Sequence, residues 1–92
     1  MAFQRSEKDN EDIISITAFC GPAMRTGYEW ALRQNAGMLC GAIGVVELGR
    51  RLVFVVSDCL PFSDTTPREL RRAILAIAAR GDWLKKKIAD SL

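Results

Sequence analysis

The feature that most limits this chain is a pair of apolar runs joined by three residues. The first run, residues 39–47, contains Ile43, Val45 and Val46; the second is Arg51-Leu52-Val53-Phe54-Val55-Val56. Both are rich in the β-branched and aromatic side chains that suit a pleated strand. The joint, Leu48-Gly49-Arg50, is so short that the two strands form an antiparallel hairpin. The consecutive apolar residues 52–56 predict a central strand covered on both faces. Gly41 and Gly44 inside the first strand mark a bulge or a close approach of another backbone.

Three further elements surround the hairpin. In residues 13–19, Ser15 and Thr17 alternate with Ile14, Ile16 and Ala18, which is a strand signal ended by Gly21-Pro22. Residues 23–34 place Met24, Tyr28, Ala31 and Leu32 on one side of a helix and Arg25, Glu29 and Arg33 on the other. Glu29 precedes Arg33 by four residues, the favourable order for a helical ion pair. Asn35-Ala36-Gly37 supplies the stop. After a loop over 58–65, Thr66-Pro67-Arg68-Glu69 combines an N-cap, a proline at the first helical position and a capping-box glutamate. Leu70, Ile74, Ile77 and Ala78 form the buried stripe of that helix. Gly81 is placed to end or kink it, and Trp83, Leu84 and Ile88 with three lysines make a last amphipathic turn or two. Residues 1–12 are polar and read as a flexible N-terminal arm, leaving 13–92 as a single α+β domain of order strand-helix-hairpin-helix.

With 92 residues, the chain holds one domain and buries only about 60–65% of its unfolded surface. A homodimer is the natural expectation for so small a core. No apolar run reaches the ~20 residues that span a bilayer. The N-terminal residues lack the apolar segment of a secretory signal, and the three cysteines form no close pairs. A cytoplasmic protein with reduced thiols and no membrane partner is expected.

The stretch from Ala23 to the end resembles the YbjN-like family of bacterial proteins, within the type III secretion chaperone-like superfamily. The resemblance rests on a helix ending at Asn35, the strand Leu39-Cys40-Gly41-Ala42-Ile43-Gly44, the Gly49-Arg50 turn and the strand Leu52-Val53-Phe54-Val55. Leu60-Pro61 and the Thr66-Pro67-Arg68-Glu69-Leu70 helix start complete it. It implies an antiparallel sheet packed on helices in a chaperone-like sandwich, often dimeric, in a protein that binds other proteins and is not an enzyme. Its secretion chaperones hold extended segments of effector proteins; its YbjN-like members are described as sensory-transduction regulators.

Chemistry-bearing patterns are sparse. The chain has no histidine, which removes the commonest general base and metal ligand. The wide spacing of Cys20, Cys40 and Cys59 matches no zinc pattern, and they read as small buried apolar residues, with Cys59, next to Asp58, the one to be exposed. Glu29, Glu47, Asp58, Asp64 and Glu69 are scattered, with nothing to bring two together. Gly41-Ala42-Ile43-Gly44 lacks the full phosphate-binding pattern and leads into a strand. No catalytic residue, cofactor or metal is therefore expected.

Two binding readings follow. In the first, a non-enzymatic, chaperone-like or regulatory module captures a partner segment with a sheet edge or an apolar helix face. Residues 13–19 are the candidate edge, and Ile14, Ile16, Phe54, Trp83 and Leu84 the candidate contacts. In the second, a basic helical face of Arg68, Arg71, Arg72, Lys85 and Lys86 binds nucleic acid. The net charge of +2 is small, and acidic residues dilute that face, so nucleic acid is the lesser expectation.

Overall fold

A computed structural model describes residues 2–8, 11–38 and 41–91, with side chains for 12–38 and 41–90. Leu39 and Cys40, the expected start of the first hairpin strand, lie outside the described residues. In chain order the elements are β1 (Ala2–Lys8), β2 (Glu11–Pro22), a 3-10 turn (Arg25–Gly27), α1 (Tyr28–Asn35), β3 (Ala42–Leu48), β4 (Arg51–Pro61) and α2 (Pro67–Ser91). The strands form one antiparallel sheet in the order β1-β2-β4-β3. The fold class is α+β, as the sequence predicts.

The hairpin forms as expected, with Leu48 opposite Arg51 and Gly49 in the left-handed region at φ 61°. The capped helix start also forms: the Glu69 amide donates to Thr66 Oγ1 at 3.2 Å, and the Leu70 amide to the Thr66 carbonyl at 3.0 Å. The Arg33 guanidinium reaches Glu29 Oε1 at 2.7 Å. Each of these is a local pattern that tertiary packing leaves undisturbed.

Several boundaries differ from the sequence reading, for identifiable reasons. Ala2–Lys8, expected within a flexible arm, is instead β1, paired in register with β2 from Ala2 opposite Thr17 to Lys8 opposite Glu11. A polar strand needs no core face of its own when a neighbour supplies the ladder. The segment 13–19 is consequently not an edge: β2 lies between β1 and β4. The first helix begins late, because the Ala23 amide donates to the Leu52 carbonyl at 2.9 Å and holds that segment extended beside β4. Residues 58–61, expected as loop, continue β4, since Ile16, Ser15, Ile14 and Ile13 pair with them.

Gly81 neither ends nor kinks α2, which runs unbroken to Ser91. A Cβ at position 81 would stand 2.8 Å from the Ala18 Cβ, so glycine is what lets α2 lie directly on β2.

Both helices cover the same face of the sheet. Ile14, Ile16, Ala18 and Cys20 of β2, Phe54 and Val56 of β4 and Ile43 of β3 meet Ala31 of α1 and Ala73, Ile77 and Leu84 of α2 in one buried cluster. Alternation along the strands sends the other residues to the opposite face. There β2 carries Ile13, Ser15, Thr17 and Phe19, β4 carries Val53, Val55, Ser57 and Cys59, and β3 carries Ala42, Gly44 and Val46. So β4 is central but not covered by helices on both sides, which corrects the reading of residues 52–56. Val55, at the middle of the helix-free face, is nevertheless 2% exposed between Phe19 and Gly44.

Candidate functional site: the groove between α1 and the free edge of the sheet

The expected partner contacts fall mostly in the protein's own core. Ile14, Ile16 and Leu84 are buried beneath the helices and closed to a partner in this fold, while Phe54, also buried, lines the hollows on either flank of α1. Trp83 is half-buried and stacks on Trp30 of α1 with ring centroids 5.6 Å apart, and the Arg80 guanidinium lies 5.5 Å from the Trp83 ring. This stack joins the two helices side by side. The basic residues Arg68, Arg71, Arg72, Lys85 and Lys86 are all exposed on α2. They form two groups, because Lys85 follows Arg72 by thirteen positions along the helix, roughly 20 Å of axis.

What the structure brings together lies on the other side of α1. This helix has only eight residues and covers its part of the sheet incompletely. Tyr28, Ala31 and Leu32 of α1 face Ile43 and Val45 of β3 and Phe54 of β4 across a groove of about 180 Å³. Tyr28 meets Phe54 edge to face at 6.1 Å and forms the groove floor. Leu32 is 67% exposed and Val45 41%, so the rim is apolar and open. A second apolar hollow follows the opposite flank of α1, lined by Pro22, Met24, Trp30, Phe54 and Ile88.

The groove runs beside an edge strand. Beyond β3 the sheet has no further strand among the described residues. One end of that edge is capped by a side chain: the Ile43 amide donates to Asn35 Oδ1 at 2.6 Å, and Asn35 Nδ2 donates to the Ile43 carbonyl at 3.1 Å. Asn35 thus imitates the backbone of a paired strand. Because both Ile43 backbone groups point outward, alternation points those of Val45 and Glu47 outward too. These amides and carbonyls offer hydrogen bonds directly beside the apolar groove. The edge is apolar from Ala42 to Val46, with no charge or proline to blunt it. The opposite edge, β1, contains Arg5, Glu7 and Lys8 in its sequence.

The remaining chemistry is quiet. Among the described residues no three His, Cys, Asp or Glu side chains gather closely enough to hold a metal ion. Cys20, on β2, is buried beneath α2, with its thiol 3.3 Å from the Ala18 carbonyl, and desolvation raises its pKa above the ordinary 9.0. Cys59, the cysteine singled out from its neighbour Asp58 as the one to be exposed, is exposed, on the helix-free face, with its Sγ 3.8 Å from Ser15 Oγ. No described helix is long and apolar enough to cross a membrane.

Sequence reasoning named Asn35 only as part of a helix stop. It missed the exposed pairing of Leu32 with Val45. The available signal was a strand whose first five residues, 42–46, carry no charge, following a helix with an apolar residue, Leu32, that the core does not bury. Compared with known proteins, the chain matches no family profile, no curated protein and no solved structure.

Proposed function

We propose that this chain is a non-enzymatic, homodimeric protein-binding module that captures an extended partner segment along β3. The segment would add to the sheet at Val45 and Glu47 and place an apolar side chain into the groove under Leu32. The observation that carries this reading is the coincidence of an uncapped stretch of edge backbone with an open apolar groove. Main-chain bonds supply affinity in such strand addition, and the pocket supplies selectivity. A chaperone-like or regulatory role, as the YbjN-like resemblance implies, follows the same physics.

Selection of displayed heptapeptides against the protein tests it. Enriched peptides should alternate apolar and polar residues, and Leu32→Asp should weaken their binding by tenfold or more, about 1.4 kcal/mol. Selected peptides that bind Leu32→Asp as tightly as the parent would refute the proposal.

A second reading has one supporting observation, the Trp30–Trp83 stack flanked by Arg80 on a helix bearing further cations. Stacked aromatics beside cations are used to bind single-stranded nucleic acid. That reading requires binding to an oligonucleotide that falls steeply with salt and disappears in Arg71→Gln/Arg72→Gln/Lys85→Gln/Lys86→Gln.

A further inference from the structure

The helix-free face of the sheet is chemically unusual for a surface left to water. An antiparallel sheet with one solvated face ordinarily carries charged side chains there. This protein is 26% charged, yet the central rows of that face, contributed by β2 over 13–19, by β4 over 53–59 and by β3 over 42–46, contain no charged residue; the exposed Arg51 stands at the end of the β4 row, opposite Leu48. The positions of β1 in register with Thr17, Ser15 and Ile13 are Ala2, Gln4 and Ser6, also uncharged. Charges are displaced onto the opposite, helical side, where Arg68, Arg72 and Lys86 are exposed.

We propose that this face is the seat of a second copy of the same chain, so that two sheets stack with the helices outermost. The proposal rests on the homodimer reading above and assigns the surface. Size supports it. Four strands about 4.8 Å apart, each roughly nine residues long over its full length at about 3.3 Å per residue, make a plane of nearly 600 Å² before side-chain relief is added, with the uncharged rows at its centre and Arg51 at its rim. Relief brings this toward the roughly 800 Å² per partner of a standard interface. Composition supports it as well. Ser15, Ser57, Ala42 and Gly44 are small, which lets two sheets approach to the usual ~10 Å spacing. A face uncharged across its central rows, with Arg51 only at its end, is complementary to itself there, whereas two copies of the helical face would set arginine against arginine. Phe19, 37% exposed beside Val55, is the large side chain available to interdigitate. The occupant is therefore argued to be a second copy and not a charged partner.

Cys59 lies on this face and is exposed in the single chain, so it reports occupancy without any mutation. Sedimentation equilibrium should give twice the 10.2 kDa chain mass. Alkylation of Cys59, located by peptide mass analysis, should slow by tenfold or more as protein rises from about 1 µM to several hundred, the span over which a micromolar dimer fills. Ser57→Glu should yield a folded species of single-chain mass, while Arg72→Glu on the helical side should remain dimeric. A single-chain mass at all concentrations would overturn both this assignment and the homodimer reading. A dimer whose Cys59 alkylation is independent of concentration would overturn the assignment alone.

Discussion

Gly81 shows how a single position reverses an ordinary rule. In an exposed helix interior, glycine to alanine stabilises by about 1 kcal/mol. Here the new methyl would meet Ala18 Cβ at 2.8 Å, backed by the core beneath β2. Gly81→Ala is expected to destabilise the protein by about 1–3 kcal/mol, the usual cost of overpacking, as read from urea midpoints. A gain in stability would mean that α2 does not lie on β2 so closely. Cys20 provides a second test of the same packing. Its thiol is favoured neutral in the folded state, because burial raises its pKa above 9.0. Below 9.0 the thiol is neutral in both states and its contribution is complete. As pH rises past 9.0 the unfolded thiol ionises first, so stability falls until the folded pKa is also passed. Cys20→Ala should therefore lose less stability than the parent between about pH 8 and about pH 10, as measured by paired urea melts.

At the scale of elements, the sequence foretold whatever was locally encoded. The Thr66 cap, the Glu29–Arg33 pair and the tight Gly49 turn involve residues at most four apart, and all three stand in the structure. What escaped was set by neighbours. β1 carries no apolar alternation and exists through its ladder with β2; β4 extends past Val56 because β2 continues to pair with it. The candidate site was hidden for the same reason, since the meeting of Asn35 with Ile43 and of Leu32 with Val45 depends on how α1 docks. The Asn35 cap makes its own prediction. Asn35→Leu removes both side-chain bonds to Ile43 and lengthens the bare edge. The cost should be about 1–3 kcal/mol, because the amide bonds are lost and buried backbone groups are left unsatisfied. A larger tendency to self-associate through β3 should accompany it, measured by light scattering against concentration. Unchanged stability and unchanged scattering would show that Asn35 does not guard the edge.

The whole molecule is two layers thick, with most of the charge on the helical side, a sheet face uncharged at its centre on the other and an open groove at one edge. The order of strand and helix patterns along the sequence pointed to a small α+β fold, and that class of fold stands. They could not indicate where binding takes place, because the edge position of β3 and the one-sided placement of the helices are properties of topology. The central claim is that β3 accepts an extended segment. Its most direct test is amide hydrogen exchange with and without a heptapeptide selected on the protein. The account predicts that the Val45 and Glu47 amides gain protection when peptide is added. Ile43, already held by Asn35, should be protected throughout. Protection confined to α2, or absent from Val45 and Glu47 at saturating peptide, would contradict it.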